Sequence, residues 1–170
     1  EENSSKIAPV YLDSTEWIQR GHPEIRGLLD KLTYEEGNLK STVEAIYRYT
    51  HNLPTLKTSQ LTDALMAHRQ QAASCNGKSR LFVALCRTAG IPARTVGGII
   101  LENTEKRTSH LWAEIYAQGQ WIPFDPLNGH NAFLPAHYLQ LYWGDHFLVT
   151  RTPGIDFDYR YEIKKRMRIK

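Results

Sequence analysis

The sequence predicts an α+β fold, with N-terminal helices packed on a C-terminal antiparallel β-sheet. Three observations carry that expectation. Apolar residues recur at helical spacing between Pro23 and Ala89. After Gly90-Ile91-Pro92 the period changes, and β-branched residues and strict alternation take over. Helices grouped before strands, rather than alternating with them, point to an antiparallel sheet. The chain has 170 residues, which fits a single domain over 1–170 able to bury a core. Within it, residues 1–22 read as an irregular N-terminal segment and 164–170 as a basic tail.

In chain order, Trp17 and Ile18 read as apolar caps on whatever follows. A first helix starts at Pro23, a residue suited to a first helical turn, with Ile25, Leu28, Leu29 and Leu32 as its stripe. A second runs from Ser41 to about His51 and ends at Leu53-Pro54; a third runs from Ser59 to about Gln70. The fourth starts at Ser74, a good N-cap type, and runs to Ala89, where Gly90-Ile91-Pro92 stops it. Residues 93–101, 110–116 and 121–125 read as strands, the last two joined at Gln118-Gly119. Pro135 to Leu141 reads as a short helix, His146 to Arg151 as a strand, and Asp156 to Ile163 as a half-buried strand by its alternation.

Composition is that of a globular protein, 41% hydrophobic and 23% charged. The formal charge of +3 falls to −2 once the five basic residues among Lys164 to Lys170 are set aside. A nearly neutral body argues against nucleic acid as a partner, because phosphate binding needs Lys and Arg spread over a surface. The tail is either solvated, the preferred reading, or able to touch an anionic lipid surface. No apolar run approaches the roughly 18 residues of a membrane helix. The chain opens Glu1-Glu2-Asn3 rather than with Met, which suggests a piece of a longer protein.

Two cysteines, Cys75 and Cys86, rule out a disulfide framework and a four-cysteine zinc site. Cys75 falls in the first turn of the fourth helix, where free N–H groups and the helix dipole stabilise a thiolate. Position alone leaves open whether Cys75 is a nucleophile or a buried structural cysteine. Cys86 lies mid-helix among Phe82, Leu85 and Ala89 and reads as core. Eleven residues of helix separate the two by roughly 16 Å, beyond disulfide reach.

His110 opens a strand whose alternation puts His110, Trp112, Glu114 and Tyr116 on one face. If the hairpin folds with a two- or four-residue loop at Gln118-Gly119, Trp112 lies opposite Asp125, and Asp125 shares the face of His110. A three-residue loop would turn Asp125 to the other face. In the right register the carboxylate orients the imidazole and the imidazole activates the thiol. The other histidines, His22, His51, His68, His130, His137 and His146, read as structural or solvated.

The stretch Ser74-Cys75, then Leu81 through Gly98 with its Gly90-Ile91-Pro92-Ala93-Arg94 turn, resembles the nucleophile helix of the transglutaminase-like superfamily. His110-Leu111-Trp112-Ala113-Glu114 resembles the family's His strand, and Gly119-Gln120-Trp121-Ile122-Pro123-Phe124-Asp125-Pro126 its Asp strand. The resemblance covers about residues 60–127. It implies a papain-like fold, acyl transfer through a thioester, and catalytic roles for Cys75, His110 and Asp125. Ala73 stands where the family commonly has Gly two residues before the Cys, and Asn76-Gly77-Lys78-Ser79 is an unusual run after it. Gly77 is expected to loosen the helix start and raise the thiol pKa. The Cys75 N–H is the natural oxyanion donor; Gln70 and Gln71 are candidates for a second. A looser resemblance is to the domains that bacteria carry on multi-helix membrane proteins, which implies a periplasmic or extracytoplasmic place and a membrane tether.

The function so implied is acyl transfer or hydrolysis at an amide bond of a peptide or protein substrate, of peptidase, amidase or transglutaminase type. It needs no cofactor. The alternative is a catalytically weak module that binds a peptide or cell-wall fragment, with Trp112, Trp121, Trp143 and Tyr142 as stacking surfaces. A third reading takes Cys75, His110 and Asp125 as zinc ligands, without the usual short ligand pairs.

Overall fold

The computed structural model describes residues 9–57, 62–101 and 109–145. After a 3-10 turn at Pro9–Tyr11 come four helices, α1 (Pro23–Leu29), α2 (Leu39–Asn52), α3 (Ala64–Gln70) and α4 (Cys75–Thr88). Five strands follow: β1 (Ala93–Ile100), β2 (Ser109–Ala117), β3 (Gln120–Asp125), β4 (His130–Asn131) and β5 (Tyr138–Trp143). They form one antiparallel sheet in the order β4-β3-β2-β1-β5. The α+β expectation holds.

Caps explain where the helices begin. Asn38 accepts the Ser41 N–H at 3.1 Å, so α2 starts two residues before the expected Ser41. Asp63 accepts the Met66 N–H at 2.6 Å from an extended backbone, so α3 starts at Ala64; Ser59, where a start was expected, lies outside the described residues. Trp17 and Ile18 do cap the helical layer: the Trp17 carbonyl accepts the Ala64 N–H, and Ile18 is buried in the core.

Helix α4 is the central strut. Leu81 through Cys86 are fully buried, between the other helices on one side and β1 and β2 on the other. It ends in a Schellman motif: the Ile91 N–H bonds the Cys86 carbonyl, the Gly90 N–H bonds the Arg87 carbonyl, and Gly90 takes a φ of 77°. Along β2, Ala113, Ile115 and Ala117 join the core beneath the helices.

The β2–β3 hairpin turns on two residues, Gln118 at φ 52° and Gly119 at φ 80°. Two positive φ values make the turn whose twist suits a hairpin. Ala113 pairs with Phe124 and Ala117 with Gln120, the register that sets Asp125 on the face of His110.

One expected element is wrong. Residues 138–143 form an edge strand, β5, where a helix over Pro135 to Leu141 was expected. Two features of β1 explain the difference. Gly97 and Gly98 leave room for close approach: a Cβ on Gly97 would lie 2.0 Å from the Tyr142 ring, and one on Gly98 would lie 2.0 Å from the Leu139 carbonyl oxygen. β5 pairs there through a bulge between Gly97 and Gly98. The strands expected at His146 to Arg151 and Asp156 to Ile163 lie outside the described residues.

Candidate active site

Cys75 is the first residue of α4, and Ser74 holds the N-cap position with extended backbone. The Ser74 hydroxyl makes no capping bond. The first-turn N–H groups are therefore left for other acceptors. Just upstream, the Ala73 N–H bonds the Pro54 carbonyl and the Ala73 carbonyl accepts the Leu56 N–H, which pins the approach to the helix. One turn into α4, the Ser79 hydroxyl donates to the Leu111 carbonyl at 3.0 Å and ties the helix to β2 beside His110.

Those ties bring the three expected residues together. His110 Nε2 lies 2.7 Å from Asp125 Oδ2, and both residues are buried. The same imidazole acts on the half-buried Cys75 thiol and lowers it. With Nε2 committed to Asp125, Nδ1 is the ring nitrogen left for the sulfur. Nε2 and Oδ2 are too close to ligate one zinc together, since tetrahedral ligands at Zn bond lengths stand about 3.3 Å apart.

Electrostatics follow from this geometry. Burial on its own would raise the Cys75 thiol. The hydrogen bond and charge of His110, with the N–H groups of Leu111 and Asn76, outweigh it and hold the thiol below its ordinary value. Burial would lower His110, but its bonds to Asp125 and Cys75 push it up to about 9. Burial would raise Asp125, but His110, Tyr138 and Asn128 hold it down to about 2. The set favours a thiolate beside an imidazolium.

Two residues at this site had not been singled out. The Tyr138 hydroxyl donates to Asp125 Oδ2 at 2.6 Å, and Asn128 Nδ2 donates to the same oxygen at 2.9 Å. Asp125 Oδ1 accepts the N–H groups of Leu127 at 2.9 Å and Asn128 at 3.2 Å. Asp125-Pro126 is a turn signal from which these backbone contacts could have been read. Tyr138 carried no such signal, because it arrives on β5 from across the sheet.

Several expectations change. Gly77 does not loosen the helix: α4 is continuous from Cys75, and the thiol is lowered, not raised. A Cβ on Gly77 would lie 2.8 Å from the Cβ of Ala73, so Gly77 makes the space that Ala73 occupies. The two departures from the family pattern are complementary. The Gln71 side chain is engaged by the His68 carbonyl and the Tyr49 hydroxyl, away from any oxyanion role. Trp112 is buried against His110 and Tyr138 and offers no stacking face, Arg94 sits 3.9 Å over the Trp121 ring, and Trp143 is 53% exposed.

Comparison with known proteins agrees with this picture. Residues 26–126 match the profile of the transglutaminase-like superfamily. The uncharacterized protein YebA of Bacillus subtilis (strain 168) is 29% identical in an alignment 129 residues long that covers 62% of this chain and 17% of YebA. A solved structure from Cytophaga hutchinsonii, provisionally named a cysteine protease, superposes with a TM-score of 0.66 at 25% identity, over 79% of this chain and 46% of that one. The periplasmic domain of TgpA from Pseudomonas aeruginosa shares the fold, with a TM-score of 0.54 and 22% identity over 72% of this chain and 50% of that one. The chain thus spans a small part of YebA and about half of these solved relatives. The family match takes in more than half of the chain and all three residues of the Cys-His-Asp set, and the chain belongs to the transglutaminase-like superfamily.

Proposed function

We propose that this domain is a thiol hydrolase or acyltransferase acting on an amide bond of a peptide or protein, with Cys75 as nucleophile, His110 as base and acid, and Asp125 as orienter. The observation that supports it best is the Cys75 thiol at a helix N-terminus, lowered by an imidazole that a buried carboxylate fixes at 2.7 Å. The Cys75 thiolate attacks the acyl carbon, and an S–C bond forms. Negative charge develops on the acyl oxygen, where the unpaired Cys75 N–H can donate to it. The C–N bond then breaks, and the His110 imidazolium gives its proton to the departing amine, leaving a thioester. Water attacks that thioester, loses a proton to His110, and frees the acid and the thiol. We favour water over a second amine as the acceptor.

We further place the domain in the periplasm or an equivalent extracytoplasmic space, as part of a membrane-anchored protein. Likeness to the periplasmic domain of TgpA supports this place. Among the described residues no helix is long and apolar enough to cross a membrane, so an anchor would belong to another segment.

The test is the pH dependence of iodoacetamide alkylation at Cys75 in the parent and in His110→Ala. A live pair titrates well below the free-cysteine value of about 8.5, and the variant loses that step. Slow, unshifted alkylation in both proteins would sink the catalytic reading and favour a binding module.

A further inference from the structure

Helix α4 carries a lysine in a place where lysines are rarely found. Lys78, one turn after Cys75, is only 2% exposed. Its chain does not snorkel to water; its ammonium donates to the His51 carbonyl at 2.8 Å. His51 lies in the last turn of α2, where backbone carbonyls are unpaired and the helix dipole is negative. Among the described residues Lys78 forms no salt bridge, and the carboxylate whose field reaches it is that of Asp125.

The His51 ring continues the connection. Its Nδ1 lies 2.9 Å from the Pro126 carbonyl, which can only accept, so Nδ1 carries the proton. The ring stacks on Tyr47 at 5.8 Å with planes 2° apart. Its Cε1 would sit 3.4 Å from a Cβ on Gly129, whose N–H bonds the Asp125 carbonyl. His51 therefore bonds one end of the loop that leaves Asp125 and lies beside the other.

We propose that Lys78 is a positioning residue of the Cys75–His110–Asp125 set: its buried ammonium, seated on the last turn of α2, braces the Asp125 loop through His51 and supplies a fixed positive charge behind the carboxylate. This deepens the function proposed above and rests on it. The charge has a use in that chemistry. Asp125 and the thiolate both favour the imidazolium, and an imidazolium held too tightly is a poor acid toward the leaving amine. Burial lowers the Lys78 ammonium and the Asp125 carboxylate raises it; while protonated, that third charge, positive and held in place by the His51 carbonyl, opposes the hold.

The test reads His110 directly, by NMR titration of its ring in a Cys75→Ala background, with Lys78→Met and Lys78→Gln compared against the parent lysine. The groups that face the Asp125–His110 pair are Tyr47 and His51 on α2, Lys78 on α4, His130 opposite Asp125 on β4 and Tyr138 on β5, and all except Lys78 are kept. Removing a nearby positive charge favours the imidazolium, so the His110 pKa should rise by about one unit in Lys78→Gln, and by less in Lys78→Met, which also loses the brace on the Asp125 loop. Lys78→Gln keeps an N–H donor for the His51 carbonyl. A purely structural lysine would leave His110 of that variant at the parent value, and this result overturns the proposal. So does a Lys78→Gln chain that fails to fold. The titration needs no live thiol, so it can fail while alkylation at Cys75 succeeds, and the reverse.

Discussion

The two cysteines of α4 are eleven residues apart on one continuous helix, yet their chemistry is opposite. Cys75 at the N-terminus is half-buried beside His110 and the Leu111 N–H, and its thiol is lowered. Cys86 is fully buried among apolar side chains, and burial pushes its thiol far up despite the neighbouring Arg87. Residue type and helix are shared, so neither sets reactivity. Position along the helix does, together with what the sheet brings to each end: an imidazole and free N–H groups at one, and close-packed hydrocarbon at the other.

The largest expected effect comes from breaking the polar end at its base. Asp125→Asn keeps the shape but removes the charge that holds the imidazolium. His110 should fall from about 9 toward or below its ordinary 6.5, and the Cys75 thiolate should lose its partner at neutral pH. We expect alkylation of Cys75 at pH 6 to slow by at least about tenfold, since the thiolate population falls with the charge on its imidazolium partner. Stability should show the same loss. The folded Asp125 lies at about 2 against 3.8 unperturbed, so its contribution is full above pH 3.8 and disappears as pH falls through 2. The raised His110 contributes fully below pH 6.5 and loses its contribution as pH rises through about 9. Thermal melts of parent and variant from acid to alkali should differ most between these limits. Superimposable melts would mean that the pair is not charged in the folded protein.

The apolar end is broken in a different currency. Cys86→Ser places a hydroxyl where no water reaches, and the cost should be about 1–3 kcal/mol of stability. For a domain of this size that lowers Tm by on the order of 5 °C. Alkylation at Cys75 should be unchanged in rate and pH profile. A changed profile would show that the two ends are coupled through the helix rather than set by their local surroundings.

Much of this contrast was legible in the sequence, because it depends on local rules. Ser74-Cys75 before an apolar helix, and Gly90-Ile91-Pro92 after it, fix both ends of α4 through capping chemistry. Gln118-Gly119 determines the hairpin register, and the register brings Asp125 to His110. What stayed hidden depends on contacts between distant segments. β5 reads as a helix in isolation; it becomes a strand because β1 offers an edge with two glycines that admit Tyr142 and the Leu139 backbone. Tyr138 was invisible for the same reason. Gly77 seemed to weaken a helix until Ala73 was seen filling its missing Cβ. The burial of Lys78 could not be foreseen either, since a lysine one turn past the nucleophile is ordinarily assigned to solvent.

The smallest effect tests how much of the polar end belongs to β5. Tyr138 donates to Asp125 Oδ2 at 2.6 Å, accepts from Asn128 Nδ2 at 2.9 Å, and meets the His110 ring edge-on at 5.9 Å. Tyr138→Phe keeps the ring contact and removes only the hydroxyl. Asp125 still accepts from Asn128, Leu127 and His110, so it should remain ionised at every pH above about 5. We expect Cys75 alkylation at pH 6 to slow by about two- to fivefold, the scale of one hydrogen bond among several. A loss as large as that of Asp125→Asn would locate the decisive support of the carboxylate on the edge strand. The edge strand, which no local rule in the sequence identifies, would then govern the thiol as firmly as the helix that carries it.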